Sequence, residues 1–166
     1  MGVSIFFSHS TRDRLWCELL ATEAIRVGVT PYLAEHDPQP GTQLAEKVKR
    51  NIGDCDAFVV LLTHNTANSA YVHQEVGLAI ARNKLVIPLV QPSIVGEQFA
   101  MLNGVEYIEF DFAHPQVGMR SYTDALTRVA EKQRKQQDIE TLIALGAVVL
   151  LMIMVLSDGG PALLAG

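Results

Sequence analysis

Cysteine and basic residues are scarce in this sequence, and each scarcity argues against a class of protein. The chain contains two cysteines, Cys17 and Cys55, with no Cys-x-x-Cys pair and no histidine at ligand spacing. A disulfide or a metal site is therefore not expected, and the thiols are predicted to be buried and free in a reducing compartment. The formal net charge is −5, and no basic run is interleaved with aromatic residues. Nucleic acid is thus not an expected partner.

Motifs of two large nucleotide-binding classes are also missing. Neither G-x-x-x-x-G-K-[ST] nor G-x-G-x-x-G occurs, which disfavours a P-loop NTPase and a Rossmann dehydrogenase. The opening MGVSIFFSHS lacks the positively charged start of a secretory signal, and Phe6 stands where a myristoylation signal needs Ser or Thr. The length suits one domain of ordinary size.

A long apolar segment stands near the end of the sequence. Residues 141–157, TLIALGAVVLLMIMVLS, carry no charge. As a helix they span roughly 25 Å, close to a hydrocarbon core of about 30 Å. A helix buried between subunits is the alternative, but the polar face of a soluble helix is missing. Lys132, Arg134 and Lys135 precede the segment and no Lys or Arg follows it. The positive-inside rule then predicts a single-pass membrane protein whose main domain is cytoplasmic.

We therefore predict four regions. These are a folded domain (1–132), a charged linker (133–140), a transmembrane helix (141–157) and a short tail (158–166). Within the folded domain, predicted strands alternate with predicted helices, which indicates βαβ crossovers and a parallel sheet. The expected fold class is α/β: a flavodoxin-like five-stranded parallel sheet with helices on both faces, followed by the transmembrane helix.

The individual elements follow from periodicity and from helix and turn signals. The predicted strands are Val3–Ser8, 30–34, Ala57–Leu62, Leu85–Val90 and 105–110, the fourth placed peripherally because it contains Pro88. The predicted helices are 11–27, 43–51, 71–82, a poorly defined 95–102, and 122–135. The first helix is expected to be capped by Ser10 or Thr11, closed by Gly28, and to bury Leu15, Leu19, Ala24 and Ile25.

One acid has an unusual predicted position. In the helix 71–82, Glu75 falls on the same arc as the apolar residues Tyr71, Val72, Val76, Leu78, Ala79 and Ile80. This helix follows the buried strand Ala57–Leu62, where open α/β sheets place their ligand crevices. The alternative is a structural acid at the margin of the core, bonded to a backbone N–H or to Arg82. Arg82 lies two turns away, so that pair would need both side chains extended.

Three segments in order resemble the TIR domain (Toll/interleukin-1 receptor fold) over roughly residues 3–132. SIFFSHS is similar to the opening strand of the family, which ends here in Ser8 followed by His9. YLAEHDPQPG is similar to the acidic loop that ends in Pro-Gly, here Pro40 and Gly41. The resemblance implies the flavodoxin-like fold already expected.

The third segment, SAYVHQE, resembles the Ser-x-Trp-Cys-x-x-Glu segment of TIR domains that cleave NAD. Ser69 and Glu75 match in type and spacing, whereas Tyr71 stands at the Trp position and Val72 at the Cys position. The continuation HQEVGLAIAR to KLVIPLV is most similar to prokaryotic TIR proteins of antiphage defence. The resemblance therefore implies that NAD+ is a substrate, with no cofactor and no metal.

The resemblance also implies roles for individual residues. Glu75 is the expected catalytic anion, with Phe7, Ser8, His9, Ser69 and Tyr71 as expected substrate-binding residues. A Ser8 or Ser10 nucleophile paired with His9 is disfavoured, since adjacent residues of an extended segment point to opposite faces. His9 acting alone as a general base is a minor alternative.

Self-assembly is a further implication. In TIR proteins the second loop often packs on a neighbouring subunit, so Glu35, Asp37, Pro40 and Gly41 are expected at contacts within a homo-oligomer. Two function classes remain open: an NAD+ nucleosidase (hydrolase or ADP-ribosyl cyclase) in immune signalling, and a non-catalytic scaffold that recruits other TIR proteins. In the first class, a downstream effector that binds the nucleotide product is a further expected partner.

Overall fold

The computed structural model describes residues 2–33, 43–66, 69–95 and 102–157. Five parallel strands form one sheet: β1 (Val3–Ser8), β2 (Val29–Leu33), β3 (Ala57–Leu62), β4 (Leu85–Val90) and β5 (Ile108–Glu109). The described α-helices are α1 (Arg14–Arg26), α2 (Gln43–Asp54), α3 (Ala70–Ala81) and α4 (Gln116–Ser157). The strand order is β2-β1-β3-β4-β5, the flavodoxin-like arrangement, which confirms the predicted fold class.

Helices cover both faces of the sheet. Successive strand residues point to opposite sides, so each strand contributes alternate residues to the two layers. On one face, the odd-numbered residues of β1 and β3 pack with α1 and α4 through Cys17, Leu20, Ala24, Tyr122 and Leu126. On the other, the even-numbered Phe6, Phe58, Val60 and Leu62 pack with α2 and α3 through Ile52, Val72, Val76 and Ala79. A sheet buried on both faces explains why β3 is a continuous apolar run.

The register of the central strands places their ends side by side. Phe7 pairs with Val59 and Ser8 with Val60 in the parallel ladder of β1 and β3. We call the side of the sheet where β1 and β3 end its C-terminal edge, and the opposite side, where they begin, its N-terminal edge. Residues that follow β1 and β3 therefore meet at the C-terminal edge.

The predicted inward face of α1 was wrong at three positions. Leu15 is 81% exposed, and Leu19 and Ile25 also face solvent. The buried positions are Cys17, Leu20, Ala21 and Ala24, of which only Ala24 was predicted. Both sets fit a helical period, and contact with the sheet selects the face rich in small side chains. Ser10 caps the short 3-10 helix Thr11–Asp13 ahead of α1, and Gly28 follows α1 at φ 79°.

Several element bounds also differ from prediction. The second strand is Val29–Leu33 rather than 30–34, and the fifth is only Ile108–Glu109 rather than 105–110. The strand containing Pro88 was wrongly placed at the periphery, since β4 pairs with both β3 and β5. β5 pairs only with Leu89 and Val90, so Pro88 lies just before the ladder on that side begins. Most of the predicted helix 95–102 lies outside the described residues.

The last helix begins at Gln116, six residues before the predicted start, and continues to Ser157. The chain divides into two compact units, Met1–Ala130 and Glu131–Gly166. Within the described residues, α4 is the one helix long and apolar enough to span a membrane by length and composition. The predicted linker 133–140 is helical, and the predicted tail 158–166 lies outside the described residues. Both cysteines are buried free thiols, as predicted.

Candidate site at the C-terminal edge of the sheet

Glu75 is enclosed between α3 and the sheet. It is 6% exposed and belongs to the buried face of α3 together with Val72, Val76 and Ala79. The periodicity of the sequence therefore predicted its direction correctly. An acid in this position gives up most of its hydration, which is costly unless hydrogen bonds replace it.

Ser8 supplies one such bond. Its Oγ donates to Oε2 of Glu75 at 2.5 Å, and both side chains are buried. Ser8 is the last residue of β1, so the bond links the C-terminal edge of the sheet to the second turn of α3. The two residues lie 67 positions apart in the sequence, so only the fold brings them together.

The surroundings change the acidity of Glu75. Burial raises its pKa from the ordinary 4.5 to about 7, and the hydrogen bond from Ser8 acts in the opposite direction. Loss of hydration penalises the charged form, whereas a donor on the carboxylate favours it. The carboxyl group consequently changes charge near neutral pH, as catalytic acids and bases often do.

The other predicted site residues of β1 differ in placement. Phe7 is fully buried in the core on the opposite face, where its ring meets Tyr122 edge-on at 6.2 Å. It therefore does not join Glu75, which lies under α3. His9 is buried directly after β1. The structure thus brings Ser8 to Glu75 and places Phe7 away from it.

Ser69 and Tyr71 border the start of α3. Ser69 is its N-cap, with a side chain that accepts a hydrogen bond from the Val72 N–H at 3.4 Å. Tyr71 is 62% exposed, so its predicted place on the buried face of the helix is wrong, and its expected role in substrate binding stays a prediction. The buried arc of α3 is narrower than the predicted one, and it excludes this residue of the first turn. The predicted contact residues Glu35, Asp37, Pro40 and Gly41 lie outside the described residues.

A second buried acid, Asp13, lies in the segment that follows β1, and sequence patterns did not single it out. Asp13 accepts hydrogen bonds from Thr63 Oγ1 and from Asn65 Nδ2, both at 2.7 Å. Thr63 in turn receives a hydrogen bond to its Oγ1 from the Asn65 N–H. These contacts join the loop after β1 to the loop after β3. Because the partners are about 50 residues apart, no local pattern could have identified them.

Among the described residues, this edge contains two buried carboxyl groups. Glu75 accepts a hydrogen bond from the Ser8 hydroxyl, and Asp13 belongs to the polar cluster that joins the two loops. A carboxylate in a dry site stabilises positive charge that develops close to it far better than the same group in water. In the described part of the chain, no group of three or more His, Cys, Asp or Glu side chains is arranged to hold a metal ion.

Comparison with solved structures places this fold among several known proteins. It is similar to the TIR domain of the Toll-related receptor TRR-2 from Hydra magnipapillata, at 17% identity and a TM-score of 0.59, covering 75% of this chain and 96% of that one. It is also similar to a 2-desoxiribosyltransferase from Leishmania mexicana, at 13% identity and 0.53, covering 74% and 97%. A third similar structure is the CMP N-glycosidase BcmB from Clostridium botulinum, at 20% and 0.52, covering 71% and 96%.

Comparison with sequences is more specific. No curated protein matches the chain significantly. Residues 5–130, by contrast, match the sequence family described as TIR domain, and this region contains most of β1, Glu75 and the first part of α4. The match extends over well more than half of the chain. The chain therefore belongs to the TIR domain family.

Proposed function

We propose that this protein is an NAD+ nucleosidase that cleaves the bond between nicotinamide and ribose. The observation that carries the proposal is Glu75, a buried carboxyl group held at the C-terminal edge of the sheet by Ser8. That edge is where α/β sheets of this order bind their ligands. TIR family membership supports the proposal, because the family includes proteins that cleave NAD.

The chemistry requires an anion at this place. As the nicotinamide–ribose bond breaks, positive charge develops on the ribose and nicotinamide leaves as a neutral base. A fixed carboxylate stabilises that charge, and the surrounding apolar side chains strengthen its field. Water then completes hydrolysis, or another group of the same nucleotide attacks the ribose and gives a cyclic ADP-ribose isomer. Glu75 acts in its ionised form in both cases.

Two of the similar folds belong to proteins whose names indicate related chemistry. One is a 2-desoxiribosyltransferase and the other a CMP N-glycosidase. Their similarity to this chain is one of fold alone. It indicates that a sheet of this architecture is compatible with chemistry at a glycosidic carbon, and it assigns no residue of this chain.

The test is incubation of the full chain, solubilised in a mild detergent, with NAD+ and separation of the products by mass spectrometry. We expect free nicotinamide together with ADP-ribose or a cyclic isomer. Glu75→Gln keeps size and packing but removes the charge, so nicotinamide release should fall by roughly 10²-fold or more. Asp56→Asn, which removes a carboxylate at the N-terminal edge, is the matched control and should stay within a few-fold of the parent. Equal activity of the parent and Glu75→Gln would refute the assignment.

A non-catalytic scaffold is the second candidate function. The apolar side chains of Leu15, Leu19 and Ile25 on α1 are exposed, and the Tyr71 ring is 62% exposed, as at surfaces that contact other proteins. A scaffold would bind other TIR domains and release no nicotinamide at any pH. The NAD+ incubation described above therefore separates the two functions.

We further propose that α4 anchors the protein in a membrane with the TIR domain on the cytoplasmic side. Side chains of residues 141–157 are exposed throughout and uncharged, and the basic residues Lys132, Arg134 and Lys135 lie on the domain side. Full-length protein should remain in membranes after carbonate extraction, whereas a chain ending before Asp138 should be released. Recovery of both in the soluble fraction would contradict the anchor.

The anchored protein is expected to self-associate and to produce a signal. Anchored subunits are confined at high local concentration, which favours self-association through TIR–TIR contacts, with residues 35–41 as the expected contact loop. The nucleotide product would then act as an immune or antiphage signal that a downstream effector binds. Cross-linking in membranes detects such assembly, and a purely monomeric pattern would contradict it.

A further inference from the structure

The hydrogen bond between Ser8 and Glu75 is short and buried, and its donor lies on a central strand. The Oγ–Oε2 distance of 2.5 Å is at the short end of the range for a hydroxyl bonded to a carboxylate. Both side chains are shielded from solvent, so water does not compete for either group. Ser8 is also fixed by the sheet, since β1 lies between β2 and β3 and Ser8 pairs with Val60. The donor is therefore held in place before any ligand arrives.

A second serine on the same strand provides an internal comparison. The Oγ of Ser4 donates to Oδ2 of Asp56 at 3.3 Å, and the Ser4 N–H donates to the same oxygen at 2.7 Å. Ser4 and Ser8 are four residues apart, so their side chains leave the same face of β1. The pair at the N-terminal edge is only partly buried and has a backbone donor as well. Loss of the Ser8 hydroxyl should therefore affect Glu75 more than loss of the Ser4 hydroxyl affects Asp56.

We propose that Ser8 is a positioning residue, whose hydroxyl orients the Glu75 carboxylate through Oε2 and favours its charged form over the protonated one. This role differs from the direct contact with ribose or phosphate that family resemblance implies for Ser8. It deepens the proposed function and rests on it for its catalytic consequence. The physical basis is independent of substrate, because a donor fixed on one oxygen restricts the rotamer of the acid and favours its charged form.

Other ionisable side chains in the described residues lie on the elements around this edge. They include His9 and Asp13 after β1, His64 after β3, and His73 on α3. Asp13 is engaged with Thr63 and Asn65, as described above. The residues of β3 itself are all apolar. Only glutamate carries the ¹³C label in the experiment below, so none of these side chains contributes a signal.

The experiment is a direct titration of Glu75 in the full chain in detergent micelles. Carboxyl carbons of ¹³C-labelled glutamate are followed by NMR, and the Glu75 resonance is identified by its loss in Glu75→Gln. In Ser8→Ala we expect the midpoint to move upward by about one pH unit, the size of effect that loss of one bond to a charged group produces. Ser4→Ala is the matched control and should leave the Glu75 midpoint unchanged. Ser8→Cys, a weaker donor of similar size, should also move it upward.

An unchanged Glu75 midpoint in a folded Ser8→Ala or Ser8→Cys chain would overturn the proposal. An equal shift in Ser4→Ala would also overturn it, since the effect would then be general to β1. The pH profile of nicotinamide release should move with the NMR midpoint in Ser8→Ala, with most of the maximal rate recovered at high pH. If the NMR midpoint moves while even the parent releases no nicotinamide, the positioning role stands and the proposed enzyme function fails.

Discussion

The two edges of the sheet contain the same kind of polar pair in different surroundings. At the N-terminal edge Ser4 donates to Asp56, and at the C-terminal edge Ser8 donates to Glu75. Asp56 is partly exposed, and a backbone N–H supplies a second donor. Glu75 is enclosed, and its pKa is raised by burial to about 7. The same side-chain chemistry therefore gives an ordinary structural contact in one place and a strongly perturbed acid in the other.

The difference follows from the lengths of the connections. At the N-terminal edge, α2 is joined to β3 by residues 55–56 and α3 to β4 by residues 82–84. Such short links keep polar groups close to backbone partners and to water. At the C-terminal edge the connection from β3 to α3 is longer, residues 63–69, and Glu75 lies on the buried face of α3 itself. Functional groups commonly occupy such loops, supported by a rigid sheet.

Removal of the Glu75 charge is expected to have the largest effect on the free energy of unfolding, because burial makes the ionised form of this acid unfavourable. Its folded pKa of about 7 exceeds the ordinary 4.5, so the folded state keeps a proton that the unfolded state releases between these pH values. The contribution of Glu75 to stability is therefore full below about pH 4.5 and is lost as pH rises through 7. Glu75→Gln should match the parent at pH 4 and be more stable by about 3 kcal/mol at pH 8.5, measured by urea unfolding.

Asp56→Asn is expected to change the free energy of unfolding in the opposite direction to Glu75→Gln. It weakens two hydrogen bonds at a partly exposed site, so stability at pH 8.5 should fall by about 0.5–1 kcal/mol. Loss of stability in Glu75→Gln at pH 8.5 would show that the acid at the C-terminal edge is as structural as its counterpart.

A lysine of the N-terminal edge is expected to have an effect smaller than that of Glu75→Gln but larger than that of Asp56→Asn. The Nζ of Lys84 donates to the backbone oxygens of Gly53 at 2.5 Å and of Cys55 at 2.7 Å, which closes the end of α2. Lys84→Met keeps the apolar stem but leaves both carbonyl groups without this donor. The free energy of unfolding should fall by about 2 kcal/mol, measured by urea unfolding, with catalysis within a few-fold of the parent.

Lys49→Met is the control for Lys84, because Lys49 forms an exposed ion pair with Glu46 on the surface of α2. Its removal should change stability by less than about 0.5 kcal/mol. A loss of NAD+ cleavage in Lys84→Met at full stability would instead assign function to the N-terminal edge and break the contrast between the two edges.

Features that depend on the residues of one segment could be predicted from the sequence. The apolar run of β3 predicted a strand buried on both faces, and the spacing in α3 predicted that Glu75 points inward. Prediction failed where the rotation of a helix against the sheet decides exposure. Leu15 and Tyr71 each fit an apolar arc of their own helix, yet both are exposed. The sheet contacts a different face of α1 from the predicted one, and a narrower arc of α3.

The alternation of strands and helices, the parallel sheet and the apolar segment 141–157 could be predicted from the sequence, since each depends on local periodicity and length. Which polar groups meet depends on the folded chain. Ser8 and Glu75 are 67 residues apart, and Asp13 and Thr63 are 50 apart, so the register of β1 against β3 brings each pair together. The raised pKa of Glu75 also required the fold, because burial exists only once α3 covers the sheet.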